Sequence, residues 1–118
     1  MKYTIEAIEN AKPGMRWEEI GCQWTLGQAY LYSKEAGNDL PNFAEVIWDY
    51  DIPEIVKALK ENGISKFTIS STFSSLIETL AAFEKEGIRM AGLTEVNATY
   101  SDWKTGKKAR ILAIRMAL

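Results

Sequence analysis

The stretch that decides the fold is residues 65–100, SKFTISSTFSSLIETLAAFEKEGIRMAGLTEVNATY. It opens with SKFTIS, in which Phe67 and Ile69 alternate with Thr68 and Ser70, the period of a strand with two unlike faces. Phe73, Leu76, Ile77, Leu80 and Phe83 then recur at helical spacing, and Gly87 stops that helix before a second extended run, IRMAGLTEVNATY. On an uninterrupted two-residue period Met90, Val96, Ala98 and Tyr100 share one face of this strand, and Leu93 takes the other. Strand, helix, strand predicts a parallel pair joined by a right-handed crossover.

Working downstream, SDWKTGKK reads as a turn with Thr105-Gly106 at its tip, and ARILAIRMAL as the last strand of a hairpin. The hairpin adds an antiparallel partner. The expected architecture is α+β: N-terminal helices followed by a β-α-β-β unit, with a small mixed three-stranded sheet and helices largely on one face.

Upstream lies the helical part. MRWEEIGCQWTLGQAYLYSKEAGND predicts a helix from about Met15 to Ala36, after the break at Pro13-Gly14. Trp17, Ile20, Trp24 and Leu31 form its stripe, with Cys22, Leu26 and Ala29 beside it, and Gly37-Asn38 is a left-handed stop. In LPNFAEVIWDY, Pro41 suits a first helical turn and a short helix is expected from Pro41 to Trp48, with a buried strand at EVIW as the alternative. Asp51 with Glu54 has the spacing of a capping box, Pro53 lies in the first turn, and Tyr50 and Ile55 are placed for a hydrophobic staple. Ile52, Ile55, Val56 and Leu59 form the buried stripe of that helix, which Asn62-Gly63 ends, Ile64 folding back over it. KENGI and EKEGI are two such helix stops, too divergent to be a repeat.

With 118 residues, the chain reads as one domain, its helical part about 1–62 and its strand-helix-hairpin part about 64–118. A 47% apolar and 25% charged composition is that of a globular protein. The N-terminus has no signal-peptide pattern and no apolar run is long enough to span a bilayer, so no membrane association is expected. The single cysteine, Cys22, fits a reducing cytoplasm. No histidine is present, which removes the commonest general base and metal ligand and every Ser-His or Cys-His nucleophile. Glu45, Asp49, Asp51 and Glu54 match no calcium-loop spacing, so neither metal nor cofactor is assigned.

Two groups of residues carry chemistry. Six of the eight residues from Thr68 to Ser75 bear hydroxyls, at the junction of a strand and a helix. Ser70, Ser71, Thr72, Ser74 and Ser75 are candidates for an anion or small-molecule site, since free N–H groups and the helix dipole favour negative charge there. The turn has neither the glycines nor the lysine of a phosphate loop. Ser75 with Glu78 has the spacing of a capping box, and helix capping is the favoured reading. The second group is the hairpin. Tyr100 and Trp103 are candidates to stack on bases of a single strand, with Lys104, Lys107, Lys108 and Arg110 on its phosphates. Residues 101–118 carry five bases against one acid, a net of +4 within an overall −2, which leaves −6 on the rest. That acidic remainder repels nucleic acid, and hairpin lysines also guard a sheet edge against pairing.

The run EVIWDYDIPEIVKALKENGISKFTISSTFSSLIETLAAFEKEGI, followed by GLTEVNATYSDWKTGKKARI, resembles a family of small proteins of unknown function from Firmicutes and related gut bacteria, often encoded on mobile elements. The resemblance covers roughly residues 40–118. It implies a compact soluble domain in the cytoplasm and brings no activity or functional residue with it. The expectation is therefore a non-enzymatic binding or protein-interaction module, accessory or regulatory on a mobile element. Four tryptophans and five tyrosines supply aromatic surface for a homodimer. The rivals are an anion- or small-molecule-binding protein or enzyme using Ser70–Ser75, and a weak single-strand binder using the 100–110 hairpin.

Overall fold

The computed structural model of the protein describes residues 24–118. The helix expected from residue 15 is seen as α1 (Trp24–Ala36). Pro13, Gly14, Met15, Trp17, Ile20 and Cys22 lie outside the described residues. After α1 come β1 (Asn42–Phe43), a 3-10 turn (Asp49–Asp51), α2 (Ile52–Glu61), β2 (Lys66–Ile69), α3 (Leu76–Lys85), β3 (Arg89–Ser101) and β4 (Lys108–Ala117). The class is α+β, with a four-stranded mixed sheet in the order β1-β2-β4-β3.

The three helices stop in the same way. Gly37, Gly63 and Gly87 have positive φ, and the residue after each donates its N–H to the carbonyl five residues back: Asn38 to Ser33, Ile64 to Leu59, Ile88 to Phe83. These are the expected glycine stops, and they aim the chain from each helix into an extended segment. Ile88 is fully buried beside Phe83 in the core.

The core lies between the β2–β4 face and helices α2 and α3. Phe67 and Ile69 of β2 stand opposite Met116 and Ile114 of β4, under Ile55, Leu59 and Phe83. Phe67 meets Phe43 edge-on at 5.2 Å and Phe83 at 5.4 Å. Burial of such side chains contributes about 1.5–3 kcal/mol each. Leu26 and Ala29 carry α1 into the same core beside Phe43 and Ile47.

Two features of the sheet differ from expectation. β2 and β3 run parallel, but they are not neighbours, because β4 fills the slot between them and is antiparallel to both. A fourth strand is contributed by Asn42–Phe43, where a helix was expected, and Glu45–Trp48 is neither helix nor strand. Tertiary pairing overrides the local signal: Pro41 C=O accepts from Thr68 N–H, and Phe43 C=O accepts from both Ser70 and Ser71 N–H. Beyond β1 only Ile47 turns inward, while Val46, Trp48 and Tyr50 face solvent.

The caps also differ. Asp51 makes no side-chain bond to the start of α2; its backbone is already helical because the 3-10 turn leads into the helix. Its carboxylate instead accepts from Thr25 Oγ1 of α1 at 3.4 Å, and Asp49 accepts from the buried Thr79 of α3 at 3.3 Å. The turn is thus a junction of three helices. Tyr50 stacks on Trp48 at 6.3 Å in solvent and forms no staple with the buried Ile55. Ser75, likewise, makes no side-chain cap on α3.

A bulge changes the face of β3. Met90 opposes Met116 and Leu93 opposes Ile114, so three steps along β3 match two along β4. Gly92, at φ +107°, takes up the extra residue. Met90 therefore shares the face of Leu93, not that of Val96 and Ala98.

Candidate functional site

The loop Gly37–Pro41 leaves α1 and crosses to β1 as a strap, and one side chain ties it to the far edge of the sheet. Asn38 Nδ2 donates to Asn97 C=O at 2.9 Å, and Asn97 N–H donates to Asn38 Oδ1 at 2.8 Å. The carboxamide pairs with β3 as another strand would. A buried polar chain anchors the other end of the strap: Ser33 Oγ donates to Ala29 C=O and accepts from Asn42 N–H, both at 2.7 Å. Asn42 Nδ2 donates to Ser70 Oγ, and Asn42 Oδ1 accepts from Thr68 Oγ1, both at 2.8 Å. Such a network rigidifies because each buried polar group is matched.

Two cavities flank the Asn38–Asn97 clamp. One, of about 320 Å³, lies between the strap and the sheet and is lined by Asp39, Leu40, Thr68, Thr94, Arg110 and Arg115 among others. The other, of about 370 Å³, is bounded by Tyr32 and Ala36 of α1 and by Asn42, Ser70, Tyr100 and Ile111. Three residues from the two candidate groups thus meet around one clamp: Ser70 and Tyr100 in the second cavity, Arg110 in the first.

The remaining candidates lie elsewhere. The Ser71 hydroxyl is buried without a hydrogen-bond partner, while Thr72, Ser74 and Ser75 face solvent. The amides of Ser70 and Ser71 are taken by Phe43 C=O. At the hairpin, Trp103 is 87% exposed with Lys104 Nζ 5.5 Å from its ring centre. Lys107 is exposed at the turn, where its N–H donates to Thr105 Oγ1. Lys108 Nζ donates to Thr99 C=O. Arg110 donates to Asn97 Oδ1 at 2.8 Å and to Glu95 C=O at 3.3 Å, and lies 3.7 Å from the Glu95 carboxylate.

These contacts give the outer edge of β3 a role. The carbonyls of Glu95, Asn97 and Thr99, on alternate residues, are taken by Arg110, Asn38 and Lys108. The bulge at Gly92 interrupts the remainder. Both devices block pairing with another strand.

The face of the β3–β4 ribbon is not covered in this way. Leu93 and Leu112 are each 69% exposed and Met90 is 60% exposed, on the side that carries Met116 and Ile114 further along. Glu95 and Arg110 border them as a matched pair. Asn38, Thr68, Asn97 and Arg115 were not among the candidate site residues read from the sequence; only the tertiary pairing brings them together.

Among the described residues no group of three or more Cys, Asp or Glu side chains is placed to hold a metal ion. No helix among them is long and apolar enough to cross a membrane. No curated protein and no solved structure matches the chain. Residues 25–118, from the start of α1 to the last residue, match one family model, and the chain belongs to that family, a domain of unknown function (DUF7698).

Proposed function

We propose that this domain is a non-catalytic protein-interaction module that pairs with a second copy of itself through the face of the β3–β4 ribbon. The observation that carries the reading is the exposure of Met90, Leu93 and Leu112 on one face of two long strands. Contiguous apolar surface of this kind marks contact sites in soluble proteins. A second copy suits it because the bordering charges, Glu95 and Arg110, offset each other, so two like faces meet without like-charge repulsion. The blocked edge of β3 favours face packing over strand addition. The resemblance of residues 40–118 to mobile-element proteins supports an accessory role, and the single cysteine supports a reducing cytoplasm.

The test is sedimentation equilibrium over a micromolar concentration series. The expected result is a mass that rises from monomer to dimer with concentration. A monomer mass throughout the series would remove the reading.

A further inference from the structure

The cavity between the strap and the sheet is lined by equal numbers of acidic and basic residues. Four charged residues line it, Asp39, Glu95, Arg110 and Arg115, and all four are solvent-exposed. Glu95 and Arg110 neutralise each other. That leaves one carboxylate, Asp39 on the strap, and one guanidinium, Arg115 on β4. Among the described residues neither has an ion pair or side-chain hydrogen bond, and no ion pair joins them.

The position of Arg115 is built into the fold. It stands opposite Thr68 in the β2–β4 register, on the face turned away from Phe67. The β3 bulge places Gly92 against its head: a Cβ on Gly92 would lie 3.0 Å from Arg115 Nη2. Only glycine leaves that space free at φ +107°. Thr94, whose hydroxyl has no partner among the described residues, lines the same cavity, and Leu40 and Val96 line it as well.

We propose that this cavity binds a small zwitterion of the amino-acid class, with its carboxylate on the Arg115 guanidinium and its ammonium on Asp39. A planar guanidinium matches a carboxylate through two parallel N–H donors. A simple anion would meet Asp39 uncompensated and a simple cation would meet Arg115; a zwitterion satisfies both. The volume, about 320 Å³, is at the lower end for small-molecule sites. The site shares Glu95 and Arg110 with the border of the ribbon face but uses neither Met90, Leu93 nor Leu112, so either assignment stands if the other fails.

The test is titration calorimetry and thermal denaturation of the full chain with each standard amino acid and with ω-amino acids such as 4-aminobutyrate. The expected result is saturable binding of at least one of them, with a matching rise in Tm. Removing either charged group from that compound, as the corresponding amine or carboxylic acid, abolishes the response. Arg115→Gln and Asp39→Asn each weaken binding about tenfold or more, Arg115→Lys retains part of it, and Ser75→Ala leaves it unchanged. Far-UV circular dichroism establishes that each variant is folded. The proposal is overturned if no amino acid gives a saturable response, if folded R115Q and D39N bind as wild type does, or if the acid or amine alone binds as tightly.

Discussion

Asn38 and Asn97, 59 residues apart, share a reciprocal pair of hydrogen bonds in which one side-chain amide replaces the missing neighbour strand of β3. The pair fixes the strap over the sheet, closes off an edge carbonyl and separates the two cavities. Losing the carboxamide leaves the Asn97 backbone groups partly buried and unpaired. Asn38→Ala is expected to cost about 1–3 kcal/mol. Asn38→Asp retains the acceptor but turns a second oxygen toward Asn97 C=O, so it is expected to be no better than alanine. Urea denaturation midpoints measure both; an unchanged midpoint for either would show that the clamp does not hold the strap.

Gly92 tests the bulge. Gly92→Ala meets two obstacles, the φ of +107° and the Arg115 head 3.0 Å away, and is expected to destabilise by about 1–3 kcal/mol. Adding Arg115→Ala relieves the contact and leaves the backbone strain, so the double variant should recover part of the loss. Full recovery would mean that the backbone conformation carries no cost. No recovery would mean that the contact carries none.

Asp51 separates the junction from the cap. Because its carboxylate accepts from Thr25 and makes no cap bond, Asp51→Ala should couple with Thr25→Val in a double-mutant cycle by about 0.5 kcal/mol or more. The cycle with Glu54→Ala should show no coupling. Coupling to Glu54 alone would restore the capping box.

Ser75→Ala is expected to change stability by less than about 0.5 kcal/mol, the range of an exposed substitution without a specific partner. A loss of about 1 kcal/mol in chemical denaturation would show that the hydroxyl caps α3 after all.

The parts of the fold that were legible in the sequence are those whose causes are local. Gly63 followed by Ile64 and Gly87 followed by Ile88 each specify a helix end within a few residues, and the alternation of Phe67 and Ile69 specifies a strand face. The strand at Asn42–Phe43 had no such signal. Pro41 reads as a helix start, and it is the amides of Thr68, Ser70 and Ser71, with Ser33 on the Asn42 N–H, that hold the segment extended. A capping-box spacing was present at Asp51 and at Ser75, but a hydroxyl from a distant helix claimed the first, and a spacing cannot show that. Gly92 was visible as a glycine in a strand, yet the change of face it causes depends on register with β4. For the same reason the candidate residues were read as two separate groups. Ser70, Tyr100 and Arg110 come together only because β4 returns between β2 and β3 and the strap crosses back from α1.

The most direct test of the account places charge on the ribbon face. Sedimentation equilibrium would compare wild type with Leu93→Glu, Leu112→Glu and, as a control, Ile77→Glu, whose side chain is 79% exposed on α3. Leu93 and Leu112 are surface positions, so folding should be retained and is checked by circular dichroism. The account predicts that L93E and L112E stay monomeric where wild type and I77E dimerise. Dimers of undiminished stability in folded L93E and L112E, or loss of the dimer in I77E alone, would contradict it.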